Sequence, residues 1–325
     1  MVLLDVLILI VGFIALIKGA DIFVDGSSAL AKNFKVPGVI IGLTIVALGT
    51  SAPELAVSTS AALQGSNEIA LSNVIGSNIF NLLSVLGVCA LIRNVPVDDS
   101  IMKRDFPISI IATAVVLFMT SWEALFGGAF VNNKMLDNVG DVTRITGLVL
   151  IVLFIAYIVM LIVDAKKHPQ EEDDIKTIPV WKCFLLIIIG VALIVAGGRA
   201  VVYSAKEIAR IAGMSETLIG LTIVAVGTSL PELVTSIVAS RKGENGMAVG
   251  NVIGSNIFNL LFILGISSSI HPIRVNLASV YDMIILIAVS IITYLFVAKD
   301  RKLGKFEGGA MIIVYIADVI FAAVR

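Results

Sequence analysis

The chain has 325 residues, 58% of them hydrophobic and 14% charged, with a net charge of −1. A water-soluble protein of this length needs more polar surface than that, so much of the apolar excess must face lipid. The near-zero charge offers no footing for a nucleic-acid partner, and the two cysteines, Cys89 and Cys183, lack ligand-like spacing and read as buried packing residues.

In chain order, the opening MVLLDVLILIVGFIAL has no basic leader and no small-residue cleavage site, so it is expected to be a first spanning helix rather than a removed signal. At roughly 20 residues per crossing, long apolar stretches fall at about 3–28, 37–63, 69–92, 106–122 and 143–164. Five more fall at about 181–206, 216–240, 247–271, 280–298 and 308–324. The stretch at 106–122 is short for a crossing. Between the two sets lies DAKKHPQEEDDIKTIP (164–179), a charged segment with two prolines in which His168 is expected to be solvated. The expected fold is an all-α integral membrane protein of ten transmembrane helices. It divides into a five-helix unit at 1–165, a charged cytoplasmic linker at 166–179 and a second five-helix unit at 180–325.

The division rests on an internal repeat. IGLTIVALGTSAPELAVSTSA (41–61) matches IGLTIVAVGTSLPELVTSIVA (219–239). NVIGSNIFNLL, within the blocks 72–83 and 250–261, occurs unchanged at 73–83 and 251–261. A single constant offset, from 41 to 219 and from 73 to 251, aligns both blocks without a gap. Such self-similarity marks a duplicated architecture, and secondary transporters build a midplane site at the junction of their duplicated halves. Five spans per unit is an odd number, so the two units enter the membrane in opposite senses.

Basic residues give the orientation. With the N-terminus outside, the inner side holds Lys32, Lys35, Arg93, Lys103, Arg104, Lys166, Lys167, Lys176, Lys182, Arg241, Lys242, Lys299, Arg301, Lys302 and Lys305. The outer side holds Lys134, Arg144, Arg199, Lys206, Arg210, Arg274 and Arg325. The inner excess predicts both termini outside and the linker in the cytoplasm, in the cell (inner) membrane.

Each copy of the first block breaks its own helix. Pro53 and Pro231 cannot donate to the carbonyls of Gly49 and Gly227 and crowd them. At membrane depth an unsatisfied carbonyl costs several kcal/mol, and a cation is one partner for it. Thr50 and Glu54 are four residues apart and share a helical face, as do Thr228 and Glu232. Ser77 with Asn81, and Ser255 with Asn259, repeat that spacing, while Ser51 and Ser229 flank the breaks. All are hard oxygen donors without a histidine or thiolate, which suits Ca2+, Na+ or Mg2+ and not zinc or copper. A lone carboxylate at the bilayer centre costs on the order of 3 kcal/mol. Two facing each other add roughly 2–4 kcal/mol of repulsion at an effective dielectric near 20. One divalent cation, two monovalent ones or protons would relieve both.

Other polar groups have plainer readings. GNVIG (250–254) is a small-xxx-small pattern for close helix packing. Asn73, Asn78, Asn251 and Asn256 read as interhelix hydrogen-bonding groups. Asp21, Asp25 and Arg199 are expected in salt bridges, and His271 at an interface. Asp318, midway along the last span, has no counterpart in the first unit and stays unassigned.

GTSAPE with GSNIFN, and GTSLPE with GSNIFN, resemble the twin motifs of the cation/calcium exchanger superfamily, specifically its prokaryotic sodium/calcium exchangers. The likeness covers the ten-span layout and so essentially the whole chain. It implies that Thr50, Ser51, Glu54, Ser77 and Asn81 act with Thr228, Ser229, Glu232, Ser255 and Asn259 as ion ligands, helped by the carbonyls of Ala47 and Ala225. It also implies that the long first and sixth spans slide as gate helices. Many members of that superfamily carry aspartate where this chain has Asn259, the K+-dependent ones among them, so the likeness does not extend to K+ co-transport.

The expected function is therefore antiport of Na+ for Ca2+ by alternating access. Both ions are substrates, the bilayer is the surroundings, and no organic cofactor or obligate protein partner is called for. A Ca2+/H+ antiporter on the same fold is the alternative, although proton-coupled relatives carry a Gly-Asn-x-x-Glu pattern whose glutamate SNVIG and GNVIG lack. A cation channel fits less well, since channels ring an open pore with ligands. No enzymatic motif is present.

Overall fold

The computed structural model describes residues 2–65, 67–167, 178–214, 223 and 225–324. Among them, eight helices are long and apolar enough to cross a membrane: α1 (Val2–Phe34), α4 (Ile69–Ile92), α5 (Ile101–Trp122), α6 (Arg144–Lys167), α7 (Val180–Ile211), α10 (Asn245–Ile270), α11 (Leu277–Asp300) and α12 (Lys305–Val324). A ninth crossing is bent: α2 (Gly38–Thr50) and α3 (Ala52–Leu63) meet at 50°. The tenth expected span, 216–240, lies partly outside the described residues, which resume as α8 (Ala225–Thr228) and α9 (Leu230–Arg241). Most of the charged linker, His168 included, also lies outside them. The stretch that looked short at 106–122 starts earlier than expected. A π-helical turn at Ile101–Asp105 extends it through the charged MKRD, where Arg104 makes two hydrogen bonds to the buried Asp105.

Burial sorts these helices into an inner pair and an outer shell. α4 and α10, which carry the two NVIGSNIFNLL blocks, are 78% and 89% buried, against 22% for α1 and 11% for α12. The outer helices expose many of their leucines, isoleucines and valines on one side, as lipid-facing surface requires. Close approach at the centre depends on glycine. A Cβ at Gly250 would stand 2.6 Å from Val39 O, and one at Gly254 2.7 Å from Leu43 Cα. The small-xxx-small reading of GNVIG thus corresponds to α10 lying directly against α2. α1 and α7 cross in the same way, with Gly19 against Ile194 N and Gly197 against Leu16 N.

Two short antiparallel sheets tie loops together, a feature the apolar pattern did not announce. β1 (Val95–Pro96) pairs with β4 (Lys302–Leu303), and β2 (Asn138–Val142) with β3 (Ile273–Asn276). Each sheet joins a loop from the N-terminal part of the chain to one from the C-terminal part. Ion pairs add to the ties: Lys242 Nζ reaches Asp21 Oδ1 at 2.7 Å and Asp25 Oδ1 at 2.6 Å, and Arg301 reaches Asp99 at 3.2 Å. Cys89 and Cys183 are free and buried.

Candidate cation site

The two helix breaks have nearly the same backbone. Ser51 adopts φ −83°, ψ 11° and Ser229 φ −92°, ψ 7°, and in each case a proline follows in the first turn of the next helix. Proline is tolerated there because the first amides of a helix lack an internal acceptor anyway. Glu54 and Glu232 then fall in the first turns of α3 and α9, where the aligned peptide dipoles favour a negative charge. The break therefore supplies local stabilisation for the carboxylate that the sequence places beside it.

Both carboxylates are fully buried, and each is held by a serine from the other half. Ser51 Oγ donates to Glu232 Oε1 at 2.7 Å, and Ser229 Oγ donates to Glu54 Oε1 at 3.2 Å. Among the described residues no lysine, arginine or histidine forms a salt bridge with either acid.

Four asparagines form the next layer. Asn78 Nδ2 donates to Asn256 O at 3.0 Å and Asn256 Nδ2 to Asn78 O at 3.2 Å. Asn81 Nδ2 donates to Asn256 Oδ1 at 3.2 Å, and Asn259 Nδ2 to Asn78 Oδ1 at 3.0 Å. With their NH2 groups engaged this way, the amide oxygens of Asn81 and Asn259 are left free for another partner. Below them Asn73 and Asn251 brace the acidic helices. Asn251 Nδ2 reaches Ser236 Oγ at 2.9 Å and Glu232 O at 3.4 Å, and Asn73 Nδ2 reaches Ser58 Oγ at 3.0 Å and Glu54 O at 3.5 Å.

Half of the twelve buried side-chain oxygens left without a partner among the described residues belong to this cluster. Glu54 Oε2, Glu232 Oε2, Asn81 Oδ1, Asn259 Oδ1, Thr228 Oγ1 and Ser255 Oγ are all buried and have no hydrogen-bond partner. Native interiors rarely leave such atoms orphaned. These six belong to the residues that the repeat spacing singled out, two in the first half and four in the second. Ser77, one helical turn before Asn81 on α4, is buried as well. Thr50 is buried too, but its hydroxyl is engaged with Asn251 Oδ1 at 2.9 Å and with Val46 O at 3.1 Å.

The carbonyl of Ala47, which the likeness implies as a ligand, already has a donor. Ser51 N donates to Ala47 O at 3.0 Å, and Thr50 Oγ1 lies 3.3 Å from the same oxygen, so Ala47 O is already an acceptor with at most one lone pair to spare. Pro53 takes its donor from Gly49 O, whereas Ala47 O keeps the ordinary helical bond from Ser51 N. Ala225 opens the short helix α8. Sequence reasoning passed over Ser58 and Ser236, although they are identical residues at equivalent positions of the repeat. It also missed the π-helical turns at Gly42–Val46, Asn81–Val85 and Phe258–Ile263. Such turns interrupt the usual ladder and recur at functional sites. The latter two begin at or next to Asn81 and Asn259, with no glycine or proline in them to signal the change.

A cavity of about 820 Å3 borders this cluster at Thr228. Pro53, Thr228, Pro231 and Gly198 line it, and Arg199, Lys206 and Arg210 are among its walls.

The profile of the family described as sodium/calcium exchanger protein matches residues 4–163 and 182–324. The chain belongs to that family. It is 36% identical over 327 residues to CaxA of Alkalimonas amylolytica, covering 97% of each chain. To the sodium/calcium exchanger MaX1 of Methanosarcina acetivorans it is 31% identical over 346 residues, covering 98% of this chain and 99% of the relative. Among solved structures it is similar to the sodium-calcium exchanger NCX_Mj soaked with 10 mM Na+ and no Ca2+, with a TM-score of 0.82 and 33% identity over the full length of both chains. The protein is thus a multi-pass membrane exchanger of cations, a transporter rather than an enzyme.

Proposed function

We propose that the chain exchanges Na+ for Ca2+ by alternating access, with both ions held between Glu54 and Glu232. The observation that carries this reading is the group of six buried, unpartnered oxygens, one from each of two carboxylates and four beside them, with no lysine, arginine or histidine among the described residues bridging to either acid. Ca2+ takes six to eight oxygens in a tolerant geometry, and dehydrated Na+ takes the same hard donors. Thr50, Ser51, Ser77 and Asn81 join Glu54 from one half, and Thr228, Ser229, Ser255 and Asn259 join Glu232 from the other. Ala47 and Ala225 contribute through their carbonyls. Two carboxylates balance one Ca2+; a third Na+ would add a positive charge, worth about 2.3 kcal/mol per 100 mV of membrane potential. Na+ as the coupling ion is supported by MaX1 and NCX_Mj, both named sodium/calcium exchangers. Neither half needs an organic cofactor or another protein for this donor set.

The architecture in this reading is two inverted five-helix units, 1–165 and 180–325, joined by the linker 166–179. The strand pairs are consistent with it, because β1 with β4 and β2 with β3 unite loops that the basic-residue count puts on the same face. That count places both termini outside and the linker in the cytoplasm. The test is Ca2+ uptake into proteoliposomes loaded with Na+. Uptake driven by an outward Na+ gradient and not by a proton gradient is expected. Uptake driven by protons alone would replace this reading with Ca2+/H+ antiport.

A further inference from the structure

The halves of the site share their sequence but not their hydrogen bonds. Thr50 is fully buried, and its hydroxyl lies 2.9 Å from Asn251 Oδ1 across the interface between halves. Thr228 occupies the equivalent place in the second copy of the repeat. Its hydroxyl oxygen is buried without a partner, and the residue lines the cavity described above. The acceptor side is unequal in the same way. Asn73 and Asn251 make matching bonds through Nδ2, to Ser58 and Ser236 and to the carbonyls of Glu54 and Glu232. Those bonds fix which amide atom is oxygen. Asn251 Oδ1 then receives Thr50, whereas the bond from Thr228 to Asn73 Oδ1 is not made, although α8 packs against the helix that carries Asn73.

We propose that Thr50–Asn251 and Thr228–Asn73 are alternating latches, the first closed while the cavity beside Thr228 is open and the second closed when the site faces the other side. The proposal rests on the alternating-access reading above and adds what sets its balance. A buried hydroxyl without a partner is unfavourable. In the present state the Thr228 pair lacks the bond across the halves; in the opposite state the Thr50 pair lacks it, and Thr50 keeps only the carbonyls of Val46 and Ala47 in its own helix. Because the residues are identical, the two penalties nearly cancel, and the states stay close in free energy. Neither threonine needs to touch an ion for this; each positions the turn that carries its neighbouring serine and glutamate.

The experiment measures how open the cavity is. Gly198→Cys places a thiol in it, since a Cβ there meets only Pro231 Cγ at 3.9 Å and Leu16 Cδ1 at 4.0 Å. The full chain is reconstituted in vesicles, and the thiol is labelled with a membrane-impermeant reagent, with the unsubstituted chain as control for the buried Cys89 and Cys183. Thr50→Val and Asn251→Ala should slow labelling, and Thr228→Val and Asn73→Ala should speed it. The opposed variants should differ by about fivefold, the ratio for one net hydrogen bond of ~1 kcal/mol at tenfold per 1.4 kcal/mol. Thr50→Ser and Thr228→Ser keep the hydroxyl and should label at the parent rate. Shifts of Thr50→Val and Thr228→Val in the same direction, no shift in either, or an asparagine variant that opposes its threonine partner would overturn the latch. Should one variant fail to fold, its partner in the same pair gives the same reading. Na+-driven Ca2+ uptake by the unsubstituted chain is recorded in parallel; its absence would sink the exchange reading, while the labelling ratios still decide the latch.

Discussion

Glu54 and Glu232 sit in equivalent first turns behind equivalent prolines, yet their surroundings differ. The serine on Glu232 stands at 2.7 Å, the one on Glu54 at 3.2 Å. Thr50 is sealed, while Thr228 borders a cavity. Identical sequence therefore supplies identical donors, and packing decides which of them are engaged. A perfectly symmetric site would be open to both faces or to neither, so inequality is what gives one face access at a time.

The harshest way to break the comparison is to remove one charge. Glu54→Gln and Glu232→Gln keep the shape and leave an oxygen for the opposing serine, so the chain should still purify as a monodisperse species. Each should lower Ca2+ exchange more than about 100-fold, since a buried carboxylate that binds a cation is worth several kcal/mol. Retention of a tenth of the activity by one variant alone would show that the halves are unequal as ligands and not only in packing.

Asparagine tests the next level. Asn81→Ala and Asn259→Ala each delete one orphaned amide oxygen from opposite halves. A loss of about tenfold in apparent Ca2+ affinity is expected from each, read from the Ca2+ dependence of exchange, since hydrogen-bond-scale contacts to a charge are worth roughly 1.5–3 kcal/mol. The serines then sharpen the asymmetry: Ser51→Ala should weaken exchange more than Ser229→Ala, by about threefold, because the shorter contact is the stronger one. Equal effects would mean that the difference in length between the two serine contacts does not matter to transport.

How much of this could be read beforehand depended on what kind of signal each feature leaves. Glu54, Glu232 and the asparagines were legible because a charge or an amide in an apolar run is conspicuous, and because the internal repeat doubled it. The bend at Ser51 followed from Pro53. The reciprocal donation of Ser51 to Glu232 was not legible, since it depends on how two distant helices dock. The π-helical turn at Asn81 leaves no trace either; it is imposed by packing around α4, where Leu82, Leu83 and Val85 are all buried. The carbonyl of Ala47 follows from the family likeness alone, since the missing amide of Pro53 concerns Gly49 O. The strand pairs escaped for a simpler reason: the strands β1 to β4 are too short to show an alternating pattern.

Far from the acids, the ties between α1 and the end of α9 should matter least. Lys242 holds Asp21 and Asp25, one helical turn apart on α1, at 2.7 and 2.6 Å. Burial by itself would lower the pKa of this lysine, but the hydrogen bonds to Asp21 and Asp25 outweigh it, and the ammonium titrates above its ordinary value of 10.5. A raised pKa in the folded state means that the contribution is complete below about pH 10.4, where the free side chain is also charged. It fades only as pH climbs through the folded value. Pairs this near the surface are worth about 1 kcal/mol or less and are screened by salt. Lys242→Met should therefore lower the unfolding temperature in detergent by no more than about 3 °C, equally at pH 6 and pH 8, and by less in 1 M salt. A loss of about 10 °C, or one confined to pH 8, would mean that this corner holds the two halves together far more firmly than its distances and exposure indicate.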